Sequence, residues 1–323
     1  QILLFLYIGF LISTLLCGIA PGYGTLLAAR AIAGAFGGVA GAMVHSIIGD
    51  AIPEQRRGAA TGMIMSAFAL SSIIGVPTGL VLAAHYSWRA PFLFLVVIST
   101  LVLILAWKIL PAMRGHIVEG VAHQPLAQMK SVFGTANHRR AFVFMFALMF
   151  AGFSVIPFIS PYMVANVGLK ETDLPYLYFF GGLATVFTSR YIGKLADRHG
   201  KTQMFTVIGL ISIAPLLITT NLPPVPVWVA ICASVIFMVF VSGRFVPAMA
   251  LVISSVEPRL RGGFLSINSA IQQFGLGAAS FLAGTIIGHG TGGTLTNYWL
   301  VGFIAVGATL LAIALAWRVK PVA

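Results

Sequence analysis

Apolar residues run along this chain in long blocks, broken by short clusters of Gly, Pro and charged side chains. A helix needs ~20 mainly apolar residues to cross the hydrocarbon core of a bilayer. On that measure the blocks predict ten spans, at about 1–20, 25–48, 59–84, 90–110, 140–165, 175–195, 203–221, 225–253, 263–288 and 297–317. Some connectors are tight and uncharged, such as Pro21-Gly22-Tyr23-Gly24; others are charged, such as Glu257-Pro258-Arg259-Leu260-Arg261. One connector, 111–139, is long, and it divides a four-span bundle over 1–110 from a six-span bundle over 140–323.

The two halves repeat. A constant shift of 205 positions aligns Pro53 with Pro258, Arg56 with Arg261, Gly58 with Gly263 and Gly79 with Gly284. Duplicated bundles are equal in size, so the pattern predicts two further spans before Gln1 and twelve in a full protein. The opening Gln1-Ile2-Leu3-Leu4 lacks the basic leader of a signal peptide.

Composition sharpens the class. Hydrophobic residues make up 59% of the chain and charged ones 8%, against about a quarter charged in a soluble domain. The 35 glycines suit close helix packing in lipid. The net charge of +12 could suggest nucleic acid, but a nucleic-acid binder gathers its cations on one soluble face. Here they occupy short loops, on alternate sides. One side holds Arg56, Arg57, Arg114, Arg139, Arg140, Lys201 and most of the others, whereas the opposite loops hold only Arg89 and Lys170. By the positive-inside rule, the long connector and both termini are cytoplasmic, as expected of a multi-pass protein of a bacterial inner membrane. Cys17 and Cys232 lie in separate blocks without metal-ligand spacing and read as small buried hydrophobes. No phosphate-binding loop, catalytic cluster or cofactor motif is present, so the sequence argues against an enzyme and for gradient-driven work by a monomer in lipid.

Chemistry is sparse inside the blocks, which makes the exceptions informative. The carboxylates Asp50, Glu54, Glu119, Glu171, Asp173, Asp197 and Glu257 lie at block ends or outside them, yet Arg30 and Arg244 lie within. A cation at that depth faces a cavity, a partner or a polar network. Arg30 is a cavity-facing cation or one that snorkels to the outer interface. Arg244 is an anion or cavity contact, or a structural donor to a helix-end carbonyl. Asn268, Gln272 and Gln273 form a polar patch that touches substrate or glues helices. His45, near Asp50, is a proton relay or a packed histidine. Gly75, Pro77 and Gly79 bend and closely pack one span. Gly193, Asp197, Arg198, Gly200 and Lys201 fall in a short cytoplasmic connector, where Asp197 can cap a neighbouring helix and the cations meet headgroups.

That last string, Gly193-Lys194-Leu195-Ala196-Asp197-Arg198-His199-Gly200-Lys201, resembles the loop signature of the major facilitator superfamily, in its second copy after the eighth span. Other strings resemble the family too. Arg30-Ala31-Ile32-Ala33-Gly34 is similar to its fourth-span motif, with Ala33 where Gln is common. Gly75-Val76-Pro77-Thr78-Gly79 is similar to its fifth-span antiporter motif, with Pro77 displaced by one and Leu80 in place of a final Gly. Trp88-Arg89-Ala90-Pro91-Phe92 resembles the string that opens its sixth span. The resemblance covers essentially the whole chain and is nearest the drug/proton antiporter branch with arabinose-efflux-permease-like members. It implies an all-α bundle that exports a small, partly apolar molecule by alternating access, with protons as the coupling ion. It gives Arg30 to substrate or proton release, residues 193–201 to conformational control, and Gly75–Gly79 to sealing the cavity. The coupling carboxylate is expected in spans before Gln1, with His45 and Asp50 in reserve. Sugar or metabolite transport by the same fold is the alternative, and a non-transporting receptor or scaffold is the alternative of another class.

Overall fold

Each apolar block that can be followed folds as helix, because in lipid only a helix or a closed barrel satisfies every backbone N–H and C=O. The computed structural model describes residues 2–51, 67, 70–109, 131–257 and 260–322. The helices are α1 (Ile2–Gly18), α2 (Tyr23–Ala51), α3 (Val76–His85), α4 (Ala90–Ile109), α5 (Ala136–Phe153), α6 (Ile159–Ala165), α7 (Leu174–His199), α8 (Lys201–Ile211), α9 (Ile213–Thr220), α10 (Val227–Phe237), α11 (Phe245–Ser254), α12 (Arg261–Ile286) and α13 (Tyr298–Ala316). The chain divides into two compact units, one of residues 1–65 and 78–125, the other of 66–77 and 126–323.

In the first unit, glycines set the helix spacing. A Cβ on Gly9 of α1 would collide with the Phe36 ring of α2, and one on Gly37 of α2 would come within 3.3 Å of Phe10. Gly18 faces Leu93 of α4 in the same way, at 2.9 Å. Small residues let backbones approach where lipid supplies no hydrophobic drive to associate. Arg89 closes one end of the unit by donating to the Ala20 carbonyl at 3.0 Å.

In the second unit, α5 packs between α12 and α13 over a core of aromatic rings. Phe142 stacks on Phe264 at 4.8 Å and Phe144 meets Phe205 edge-on at 4.9 Å. A hairpin of two-residue strands, β1 (Gly288–His289) with β2 (Leu295–Thr296), is the one sheet among the described residues. The Asn166 amide clamps it, donating to the Leu295 carbonyl and accepting from the Leu295 N–H, both at 2.9 Å.

Prolines interrupt the helices. A proline has no N–H, so the carbonyl four residues before it loses its helical donor. Pro77 follows a π turn over Ser71–Gly75; Pro157 lies in a 3-10 turn, Ile156–Phe158, between α5 and α6. Pro215 follows the break at Ser212 between α8 and α9, and Pro247 follows the π turn Met238–Ser242 between α10 and α11. The Phe153 carbonyl, four before Pro157, accepts instead from the Ser280 hydroxyl of α12 at 3.3 Å.

The expectation of ten spans of a probable twelve is corrected. Among the described residues, six helical segments are long and apolar enough to cross a bilayer: Tyr23–Gly41, Ala90–Lys108, Ala136–Ala165, Lys201–Thr220, Val227–Ser254 and Tyr298–Ala316; most of the block at 59–84 lies outside the described residues. Ile2–Gly18 and Ile73–His85 are apolar but shorter. Helix α7 carries Arg190, Lys194, Asp197 and Arg198 in its last part, and α12 carries Ser266, Asn268, Ser269, Gln272 and Gln273, so both are long but too polar. Apolar block length alone overstated the count because it ignored how charge and amides gather on one end or face. Cys17 is buried as expected, but Cys232 is exposed on α10. An apolar thiol can face lipid as readily as a core.

Candidate functional site

Local structure explains how Arg244 comes to lie in the second unit's interior. The π turn Met238–Ser242 widens the helix, the Arg244 N–H reaches back to the Phe240 carbonyl at 3.3 Å, and α11 resumes at Phe245. The side chain is left 1% exposed. Its Nη1 donates to the Thr309 hydroxyl of α13 at 2.8 Å and to the Ser212 hydroxyl at 3.3 Å. Both hydroxyls pass their own protons to backbone, Thr309 to the Ala305 carbonyl at 2.8 Å and Ser212 to Gly209 at 2.7 Å, which orients their lone pairs for the guanidinium. Arg244 Nε and Nη2 have no hydrogen-bond partner among the described residues. Gly152 of α5 backs onto that edge: a Cβ there would lie 3.7 Å from Nη2, so no side chain from α5 stands between the helix and the guanidinium. The constellation therefore joins α5, α13, the α8–α9 break and the α10–α11 turn around one buried cation.

Neither Ser212 nor Thr309 is a sequence candidate. The signal was faint: single hydroxyl residues near the middle of apolar blocks, 32 and 65 positions from Arg244.

The amide patch divides: Asn268 and Gln272 share one face of α12, and Gln273 lies on another. Asn268 of α12 is fully buried, and neither its Oδ1 nor its Nδ2 has a hydrogen-bond partner among the described residues. Gln272, one turn on, is half-buried, while Gln273 points outward. Residues four apart share a helix face and adjacent ones do not.

Arg30 of α2 is exposed, its guanidinium 6.0 Å from the Phe92 ring centroid in the same unit, within cation–π range. The backbones of His45 and Asp50 belong to α2, but their side chains lie outside the described residues. The Pro53–Gly58 copy of the repeat and most of the connector 111–139 also lie outside them.

Residues 193–199 differ from the expected connector. They continue α7 to His199, and Gly200 alone makes the turn, with φ +92°, a left-handed value that favours glycine. Helix α8 starts at once with Lys201. A recess of about 450 Å³ opens there, lined by Asp197, His199, Lys201 and Gln203 with Leu251 and Pro321. Asp197 is exposed at its rim, and Arg198 is exposed beside it in sequence. Around Gly75 and Pro77, the π turn lays Ile73 against Gly182 of α7; a Cβ there would meet Ile73 Cγ1 at 3.0 Å and Cα at 3.3 Å. Gly79 lies one turn further along, where a Cβ would be 3.9 Å from Pro91.

Comparison with known proteins gives these features a context. The profile of the Major Facilitator Superfamily matches residues 1–238 and 141–323. The uncharacterized transporter YbcL of Bacillus subtilis is 24% identical over 97% of this chain and 77% of its own length. A probable sugar efflux transporter of Helicobacter pylori strain P12 is 22% identical over 98% of this chain and 77% of its own length. The crystal structure of the E. coli fucose:proton symporter FucP superposes with a TM-score of 0.66 at 16% identity, over 99% of this chain and 83% of the symporter.

Proposed function

We propose that this chain, which belongs to the Major Facilitator Superfamily and so is a secondary-active, alternating-access transporter of small molecules, exports a partly apolar molecule in exchange for protons. The protein is a multi-pass membrane protein and not an enzyme. Alternating access needs two arrangements of packed helices around one site. The export direction rests on the likeness of Gly75–Gly79 to the antiporter motif, and the observation that supports a closing contact there is the close seat of Ile73 on Gly182 at the adjoining π turn. A glycine-lined contact of this kind closes tightly and parts without tearing interlocked side chains. Arg30, exposed on α2, and the amides of α12 are the proposed substrate and coupling residues. The protein works as a monomer with its termini in the cytoplasm and has no nucleic-acid partner.

The test uses everted vesicles holding the full-length chain, energised acid inside, with ethidium as probe. Accumulation that collapses when the pH gradient is discharged is the expected result. Accumulation indifferent to the gradient would remove proton coupling from the proposal. A sugar cargo is the second reading, favoured by the names of two relatives, a probable sugar efflux transporter and a fucose:proton symporter. Labelled arabinose and fucose in the same vesicles separate it from the first.

A further inference from the structure

The guanidinium of Arg244 is satisfied on one side only. Its Nη1 is spent on Thr309 and Ser212, whereas Nε and Nη2 have no hydrogen-bond partner among the described residues. Those two donors form one edge of the planar group, with parallel N–H bonds, which is the edge that grips an oxyanion with two hydrogen bonds. No carboxylate of the described residues meets it. The position is deep: Arg244 lies well inside Val227–Ser254, and Ser212 and Thr309 lie near the middles of Lys201–Thr220 and Tyr298–Ala316. A cation at such depth keeps its charge only with a counter-charge or a polar cage. The hydroxyls supply half a cage. Gly152 stands by Nη2 without a side chain, and Val241 and Ile156 complete an apolar wall around it.

We propose that Arg244, Ser212, Thr309 and Gly152 form a site for one small monovalent anion, held by the Nε and Nη2 edge inside the second unit. The anion neutralises the arginine and ties α5, α11 and α13 together. Its source is a free inorganic ion or the carboxylate of a carried molecule; the chemistry of recognition is the same. The site goes beyond the proposed export activity and stands whatever the direction of transport, because it is read by binding and not by flux.

The test is thermal unfolding of the purified full-length protein at constant ionic strength, with gluconate, chloride, bromide or formate as the only anion. A ligand that binds the folded state alone raises Tm with concentration. The small anions are expected to raise Tm by ~2–4 °C over gluconate. Arg244→Gln should abolish that rise. Because this variant can fail to fold, Gly152→Ala is the second arm: its methyl group faces Nη2, keeps both Arg244 hydrogen bonds and should weaken the response at least several-fold. Equal melting in gluconate and in the small anions overturns the proposal, as does a response that survives undiminished in Gly152→Ala. A rise with chloride, bromide and formate alike marks a free ion, and a rise with formate alone marks the carboxylate of a carried molecule.

Discussion

Asn137 and Lys320, 183 positions apart, hold each other by two hydrogen bonds: Asn137 Nδ2 donates to the Lys320 carbonyl at 2.7 Å, and the Lys320 N–H donates to Asn137 Oδ1 at 2.9 Å. Nδ2 also donates to the Ser255 carbonyl at 3.2 Å, and the Val322 N–H reaches Ser254 at 2.8 Å. One amide near the start of α5 therefore fastens the chain's last residues to the end of α11. Asn137→Ala should cost ~1–2 kcal/mol, since several modest bonds go at once and some are exposed. Hydrogen exchange at residues 318–322 should speed markedly while the core of α13 stays protected. Unchanged exchange there would show that the strap is held by packing alone.

Thr309→Val keeps the shape of the side chain and removes the hydroxyl on which Arg244 rests. The guanidinium would keep only the longer bond to Ser212. Stranding a buried donor costs about 1–3 kcal/mol, and melting should fall by a few degrees. Ser212→Ala should cost less, because its bond, at 3.3 Å, is the weaker of the two.

Gly182→Leu tests the seat of Ile73. The neighbour is backbone as well as side chain, at 3.3 Å and 3.0 Å, and backbone cannot turn aside. Transport in proteoliposomes should fall ~10-fold or more, as expected when a closing contact is wedged apart. Gly79→Ala, whose Cβ would sit at an ordinary 3.9 Å from Pro91, should transport at close to the unaltered rate.

Asp197→Asn tests whether the end of α7 governs conformational exchange. The residue is exposed at the rim of a recess and lies on no span's interior face. Turnover should slow by ~10-fold while ligand affinity stays within ~3-fold, the signature of a gating residue. A selective loss of affinity with normal turnover would place Asp197 in the binding machinery.

Orientation has its own test. Single cysteines at Ser131 and Thr172, in a background without Cys17 and Cys232, should label from opposite faces with an impermeant thiol reagent. Labelling of both from outside would reverse the proposed topology.

The sequence makes the helices legible because apolar blocks and their proline and glycine borders are local signals. Tyr23–Ala51 and Ala90–Ile109 fall close to where the blocks lie. Two things are not local. The end of α7 looks like a loop, since Lys194, Asp197 and Arg198 are charged, yet helix continues beneath them to His199 because only Gly200 can take the left-handed turn. Arg244 announces itself by being charged inside an apolar block, but its partners do not: Ser212 and Thr309 reach it only after α8 and α13 pack together. The amides of α12 show the same limit from the other side, as three neighbours in sequence become one buried, one half-buried and one exposed residue.

The interrupted helices have a mechanical consequence. Ordinary transmembrane helices resist bending because each bend must first break a ladder bond. Here the carbonyls of Ile73, Phe153, Ile211 and Gly243, each four residues ahead of a proline, were never given that bond. Bending at those four places starts from a rung already absent, so the elastic cost of moving one half of a helix against the other is lowest there. Where Ser280 shares its one hydroxyl proton between Leu276 of its own helix, at 3.0 Å, and the Phe153 carbonyl, at 3.3 Å, a neighbouring helix has become a weak latch on such a joint, released when the proton turns fully to Leu276.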